Sequence, residues 1–183
     1  MNQKVKSIVK IFGAILTIAI GAQLTIDVGS IPITGQTLAI LSWALFLTPR
    51  EAIISLCSYL LLGFSGAPIF ADGAFGIDKL YGGSGGYLIG FLIAAVSVSY
   101  LYIQSKSNAF TTILFLTTIG TIIILAFGIG RLMMLYGFEK GLEYGFYPFW
   151  KGALVKIFIG SVLVWAIKKF VVKDKILVSR YKV

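Results

Sequence analysis

Thr111–Leu135 reads TTILFLTTIGTIIILAFGIGRLMML, an apolar run interrupted by one charge, Arg131. A helix needs roughly 20 predominantly apolar residues to cross the hydrocarbon of a bilayer. This run meets that length, so it predicts a membrane-spanning helix. Five more apolar segments flank it: Ile8–Ile26, Leu38–Leu47, Ala52–Leu62, Gly86–Tyr102 and Trp150–Val172. Composition agrees. Of 183 residues, 58% are hydrophobic and 13% charged, against roughly 25% charged in a soluble domain. Seven acidic and sixteen basic side chains cannot cover a globule of this size. The expectation is a single all-α integral membrane domain over residues 1–183, a bundle of six transmembrane helices.

A net charge of +9 raises nucleic acid as a partner, but the distribution of charge excludes it. Lys4, Lys6 and Lys10 precede the first apolar run, and Lys168, Lys169, Lys173, Lys175, Arg180 and Lys182 follow the last. Lys and Arg at membrane edges mark the cytoplasmic side. With the N-terminus inside and six crossings, Arg50 and Lys106 join them, so eleven of the sixteen basic residues lie inside. Lys79, Arg131, Lys140, Lys151 and Lys156 are left to the outer side. Both termini are therefore expected in the cytoplasm, with the protein multi-pass in the cell membrane. The first apolar run extends past a signal-peptide core and lacks a small-residue cleavage site, so no cleaved leader is expected.

The second and third segments are too short to span alone. Such segments must pack against other helices or line a cavity, because lipid offers no hydrogen bonds to free backbone. Thr48-Pro-Arg-Glu51 between them reads as a tight turn. On the outer side, Asp27–Thr37, Gly63–Gly85 and Tyr136–Phe149 remain as connections. A long glycine-rich loop such as the middle one is usually functional. With no His and a single Cys, a zinc site lacks ligands, and Cys57 reads as a small buried hydrophobe. No nucleophile–base pair is present, which argues against an enzyme. The expected task is binding a small molecule within the bundle.

Several residues are candidates for that site. Gly13, Thr17 and Gly21 form a small-residue stripe on the first helix, and Gly86, Gly90 and Ala94 another on the fourth. Each lets a second helix approach closely, from the same bundle or from a partner protein. In Ile31-Pro-Ile-Thr-Gly-Gln-Thr37, either Thr34 or Thr37 can cap the following helix, while Gln36 can read a polar ligand. The glycine loop offers Phe70, Phe75, Tyr81 and Tyr87 as an aromatic wall, with Gly85 and Gly86 allowing close backbone approach. It is not a phosphate-binding loop, lacking the Lys-Ser/Thr that follows the glycines there. Lys156 lies about two turns into the last helix, where it either snorkels to the interface or meets an anionic ligand group. Arg131 is a second such cation.

At these residues the chain resembles the BioY family, the biotin-binding S-components of energy-coupling-factor (ECF) transporters. The matching parts are Pro32-Ile-Thr-Gly-Gln-Thr-Leu38, Gly66-Ala-Pro-Ile-Phe70 and Gly83-Ser-Gly-Gly-Tyr-Leu-Ile-Gly-Phe91, in that order and spacing. The resemblance implies a six-helix fold of the ECF S-component type with an outward-facing pocket for biotin. It implies a transmembrane coupling protein and two ATPase subunits as partners, met through the stripe Gly13, Thr17 and Gly21. Biotin would be transported cargo, and no cofactor is implied. Substrate contacts would come from Thr34, Gln36, Phe70, Asp72, Gly85, Gly86, Tyr87 and Lys156, with Arg131 or Lys151 as helpers. The chain departs from the family where the last helix begins. Lys156 keeps the Lys position, but Ala153 stands where the family has Asp, and Lys151 stands where it has a second Pro. Ala74 and Leu88 stand where some members have Asn and Arg. Glu143, Asp72 and Gln36 are the candidates to replace the missing carboxylate.

Overall fold

The computed structural model describes residues 2–26 and 31–172. Asp27 and the tail cations Lys173, Lys175, Arg180 and Lys182 fall outside the described residues.

Helix α1 (Gln3–Gln23) starts where the Asn2 side chain accepts the Lys4 N–H at 3.3 Å. It leads into strand β1 (Thr25–Ile26), which pairs antiparallel with β2 (Ile33–Thr34), Thr25 opposite Thr34. Helix α2 (Gln36–Ala44) follows, then α3 (Pro49–Phe64). The stretch Thr48–Glu51 is not a tight turn between them; it opens α3. Thr48 Oγ1 accepts the Glu51 N–H at 3.2 Å, and Glu51 accepts the Thr48 N–H at 2.9 Å. This capping box satisfies two backbone donors at once, and Pro49 occupies the first helical position, where its missing N–H is no loss.

The glycine-rich connection holds a 3₁₀ turn, Ala71–Gly73, and a single-turn helix α4 (Asp78–Tyr81). Three helices complete the bundle: α5 (Gly85–Ser105), α6 (Phe110–Tyr136) and α8 (Phe149–Ala166), the last running on into a π-helical turn, Ile167–Val172. A short α7 (Phe138–Gly145) links α6 to α8. Each of the six expected segments is a helix, with ends moved by a few residues. The two-stranded ladder, α4 and α7 were not expected; each is too short to leave a periodic pattern.

Among the described residues, α1, α5 and α6 are long and apolar enough to cross a membrane. Large apolar side chains cover the outside of the bundle: Phe12 is 69% exposed, Phe115 64% and Met134 81%. Water would penalise such a belt, and a hydrocarbon surround would not.

The nine-residue α2 lies inside, burying Ile40, Leu41 and Ala44. The carbonyls at its end and in the turn that follows would be orphaned in a dry interior. Neighbouring helices supply the donors. The one Ser99 O–H on α5 is shared between the Ala44 and Leu47 carbonyls, 2.9 and 2.6 Å away, and Lys10 on α1 donates to the Phe46 carbonyl at 2.7 Å.

Small residues set the close approaches. On α5, a Cβ at Gly86 would overlap the Phe127 carbonyl of α6, and one at Gly90 would come within 3.1 Å of the Ile124 Cα. The stripe Gly86, Gly90 and Ala94 is thus used within the bundle. Gly13, Thr17 and Gly21 also have neighbours within the bundle, although Thr17 is exposed and Gly13 half-buried. Trp43 on α2 lies against Gly13 and donates its indole N–H to Thr17 Oγ1 at 2.6 Å. Gly21 meets the Gly35 backbone so closely that a Cβ would sit 3.0 Å from it.

Candidate ligand-binding cavity

At the end of the bundle carrying the β1–β2 ladder and the glycine loop lies a cavity of about 380 Å³. Ile31, Pro32 and Thr34 line it from the ladder, Gln36 and Thr37 from α2, and Phe70, Ala71, Asp72 and Ala74 from the loop. Tyr87, Leu88 and Phe91 of α5 face Thr121, Ile124 and Leu125 of α6. Phe149, Ala153 and Lys156 of α8 close it. The volume and the largely apolar lining, with a few convergent polar groups, are those of a small-molecule site.

A thread of hydrogen bonds fixes the polar wall. Lys156 Nζ donates to the Thr34 carbonyl at 3.2 Å. Thr34 Oγ1 donates to Gln36 Oε1 at 3.0 Å and accepts the Gln36 backbone N–H at 3.2 Å. Gln36 Nε2 donates to the Tyr59 hydroxyl at 2.6 Å, and that hydroxyl donates to the Ile69 carbonyl at 2.7 Å. Side chains from α8, β2, α2 and α3 thereby hold the loop in place. Gly35 holds the N-cap position of α2, and Thr34, one residue earlier, accepts the N–H of Gln36. Thr37 does not cap the helix: its Oγ1 is buried without a hydrogen-bond partner among the described residues.

The loop is anchored a second time from α1. Gln23 Nε2 donates to the Phe70 carbonyl at 3.0 Å, and Gln23 Oε1 accepts the Gly73 N–H at 2.9 Å. Asp72 has a left-handed backbone, φ 57°, and its carboxylate accepts Thr25 Oγ1 at 2.5 Å. Phe70 packs edge-on against Tyr59 and Phe64, with ring centroids 5.7 and 5.5 Å away. Its ring rests on Gly63, where no side chain would fit. Across the cavity, Tyr87 stacks on Phe149 at 5.5 Å.

The structure brings Thr34, Gln36, Phe70, Asp72, Tyr87, Ala153 and Lys156 to the cavity. The other expected residues stand elsewhere. Gly85 and Gly86 lie behind the lining, against Leu80 and α6. Arg131 donates to the carbonyls of Tyr81 and Gly82, clasping the glycine loop from outside. Lys151 is exposed, its ammonium 5.4 Å from the Trp150 ring centroid. Neither helper therefore reaches Lys156's position. Glu143 is exposed and away from the lining, as are Phe75 and Tyr81. Phe91 and Phe149 complete the aromatic wall instead. Sequence reading missed them, together with Tyr59, Gln23 and Thr121. A polar tip within an apolar helix was the available signal for Tyr59 and Thr121.

Comparison with known proteins places this architecture. The family model described as the BioY family matches residues 1–173. Biotin transporter BioY2 of Lactococcus lactis subsp. cremoris is 34% identical over 165 residues, covering 88% of this chain and 89% of that protein. Biotin transporter BioY of Thermotoga maritima is 31% identical over 174 residues, covering 94% and 99%. A crystal structure of the S-component for biotin from an ECF-type ABC transporter superposes with a TM-score of 0.84 at 25% identity, over 92% of this chain and 95% of that one. Matching over nearly its whole length in sequence and in fold, the chain belongs to the BioY family.

Proposed function

We propose that the protein is the biotin-capturing membrane subunit of a vitamin uptake transporter. Helices α1, α2, α3, α5, α6 and α8 are the six membrane helices, with both termini cytoplasmic and the cavity on the outer face of a bacterial plasma membrane. The basic residues support this orientation: Lys4, Lys6, Lys10, Arg50, Lys106, Lys168 and Lys169 all belong to the end opposite the cavity. A coupling protein and ATPase subunits of an ECF module energise release on the inner side. No catalytic group or cofactor enters the reading, and the family is one of transporters.

One observation carries the proposal: a vitamin-sized cavity lined by Phe70, Tyr87, Phe91 and Phe149 holds Lys156 of α8 at its wall, with Lys79 of α4 also in the lining. The aromatic and aliphatic lining suits the fused rings of biotin. Lys156 has donated one of its three protons to Thr34 and keeps two for the valerate carboxylate. Gln36 and the loop backbone near Asp72 supply polar contacts to the ureido group. Titration of purified protein with biotin tests the reading. Submicromolar binding is expected, and no binding below the micromolar range refutes it. Ala153 favours a second reading, a related vitamin or precursor as cargo, because a methyl group stands where the family resemblance implies a carboxylate. Competition by desthiobiotin and unrelated vitamins separates the two.

A further inference from the structure

Below the main cavity a narrow recess of about 10 Å³ runs between α2, α6 and α8. Its floor is Leu38, Leu41, Ser42, Thr117, Ile157 and Gly160. Thr37, Thr121, Ala153 and Lys156 line both spaces and so frame the mouth between them. Ala153 contributes only a methyl group, which leaves the mouth open.

The polar groups at this mouth are unequally engaged. Thr121 Oγ1 donates its O–H to the Thr117 carbonyl at 2.9 Å. Lys156 has given one proton to Thr34. Thr37 Oγ1 has neither donor nor acceptor among the described residues, although it is buried. Leaving a buried hydroxyl unpaired is costly, and native interiors rarely do so without a reason. A threonine in a helix usually bonds the carbonyl one turn back, as Thr17, Thr117, Thr118 and Thr121 do here. At the second residue of α2 that carbonyl belongs to Ile33, outside the helix, so Thr37 has no such outlet. Thr37 lines both the cavity and the recess, so a turn about χ1 would bring its hydroxyl, shielded in the empty protein, to the mouth.

We propose that Thr37 is a specificity-determining residue whose hydroxyl donates to the carboxylate that Lys156 attracts. The mouth then offers an anion two N–H groups and one O–H, with no acidic side chain at its rim. Asp72, the one carboxylate of the lining, is already bonded to Thr25 on the loop side. The inference rests on the biotin reading and assigns that ligand's acid end to the recess mouth.

The test uses Thr37→Val and Thr37→Ser in the full chain, with titrations of biotin and biotin methyl ester and thermal unfolding without ligand. Val keeps the shape and removes the hydroxyl; Ser keeps the hydroxyl. Biotin affinity should fall about tenfold or more in Thr37→Val, the range for a hydrogen bond to a charged acceptor. Methyl ester affinity should change about twofold at most, and Thr37→Ser should bind biotin nearly as wild type does. The empty Thr37→Val protein should unfold at an equal or higher temperature, because it loses an unsatisfied hydroxyl. Equal losses for acid and ester, or no loss for either, overturn the proposal. A lower unfolding temperature for empty Thr37→Val overturns it too, since it reveals a structural partner. Wild type that binds neither compound refutes the biotin reading itself, and the carboxylate assignment falls with it.

Discussion

Tyr59→Phe removes one oxygen and nothing else, so it isolates the hydrogen-bond thread that fixes the loop. Tyr59 is fully buried, and its hydroxyl accepts from Gln36 at 2.6 Å and donates to the Ile69 carbonyl at 2.7 Å. The ring keeps its edge-on contact with Phe70, so no packing is lost. Two hydrogen bonds disappear, each contributing about 1 kcal/mol net, and a buried amide N–H and a buried carbonyl are left without this partner. The expected loss is about 2–4 kcal/mol, which lowers the unfolding temperature by about 4–15 °C for a chain of this size. Thermal unfolding in detergent, followed by tryptophan fluorescence, measures it. Gln36→Leu removes the other partner, so the double variant should cost about 1 kcal/mol less than the sum of the single ones. A loss below about 0.5 kcal/mol for Tyr59→Phe, or strict additivity in the cycle, refutes the claim that the thread holds the loop.

Three further outcomes follow from the same geometry. Lys156→Met should weaken biotin by about tenfold or more and the methyl ester much less, and equal losses in paired titrations would remove the charge role. Gly86→Val places a side chain against the Phe127 carbonyl of α6 and should destabilise the bundle by about 1–3 kcal/mol or prevent folding; unfolding at the wild-type temperature would contradict the close approach of α5 and α6. Lys151→Ala should leave biotin affinity within about twofold, since an exposed cation is screened by water, and a larger loss in the same titration would return Lys151 to the site.

The membrane helices were legible because their signal is additive along the chain. Length and hydropathy over α1, α5 and α6 need no tertiary information. The site was legible where a local motif or a residue's own helix sets its direction, as for Thr34, Gln36, Phe70 and Asp72 in the segments leading into α2 and following α3. On α8, Ala153 and Lys156 lie three residues apart on one face, and both meet the cavity and its recess. Directions set by tertiary packing were hidden. Arg131 turns to the glycine loop because α5 comes close to α6 at Gly86, a fact about two helices. Thr34 and Thr37 were equal candidates to cap α2; the helix begins after Gly35, so Thr34 bonds the Gln36 amide and Thr37 falls inside the first turn.

Lys151 is different, because its exclusion needed no structure. Five residues at roughly 100° each place Lys151 about 140° around the helix from Lys156, whereas Ala153 lies only about 60° away. Two cations so far apart on one helix cannot converge on one carboxylate. Lys156, the α8 lysine at the cavity, therefore works with donors from other elements, which points across the mouth to α2 and to the Thr37 hydroxyl, unpaired among the described residues.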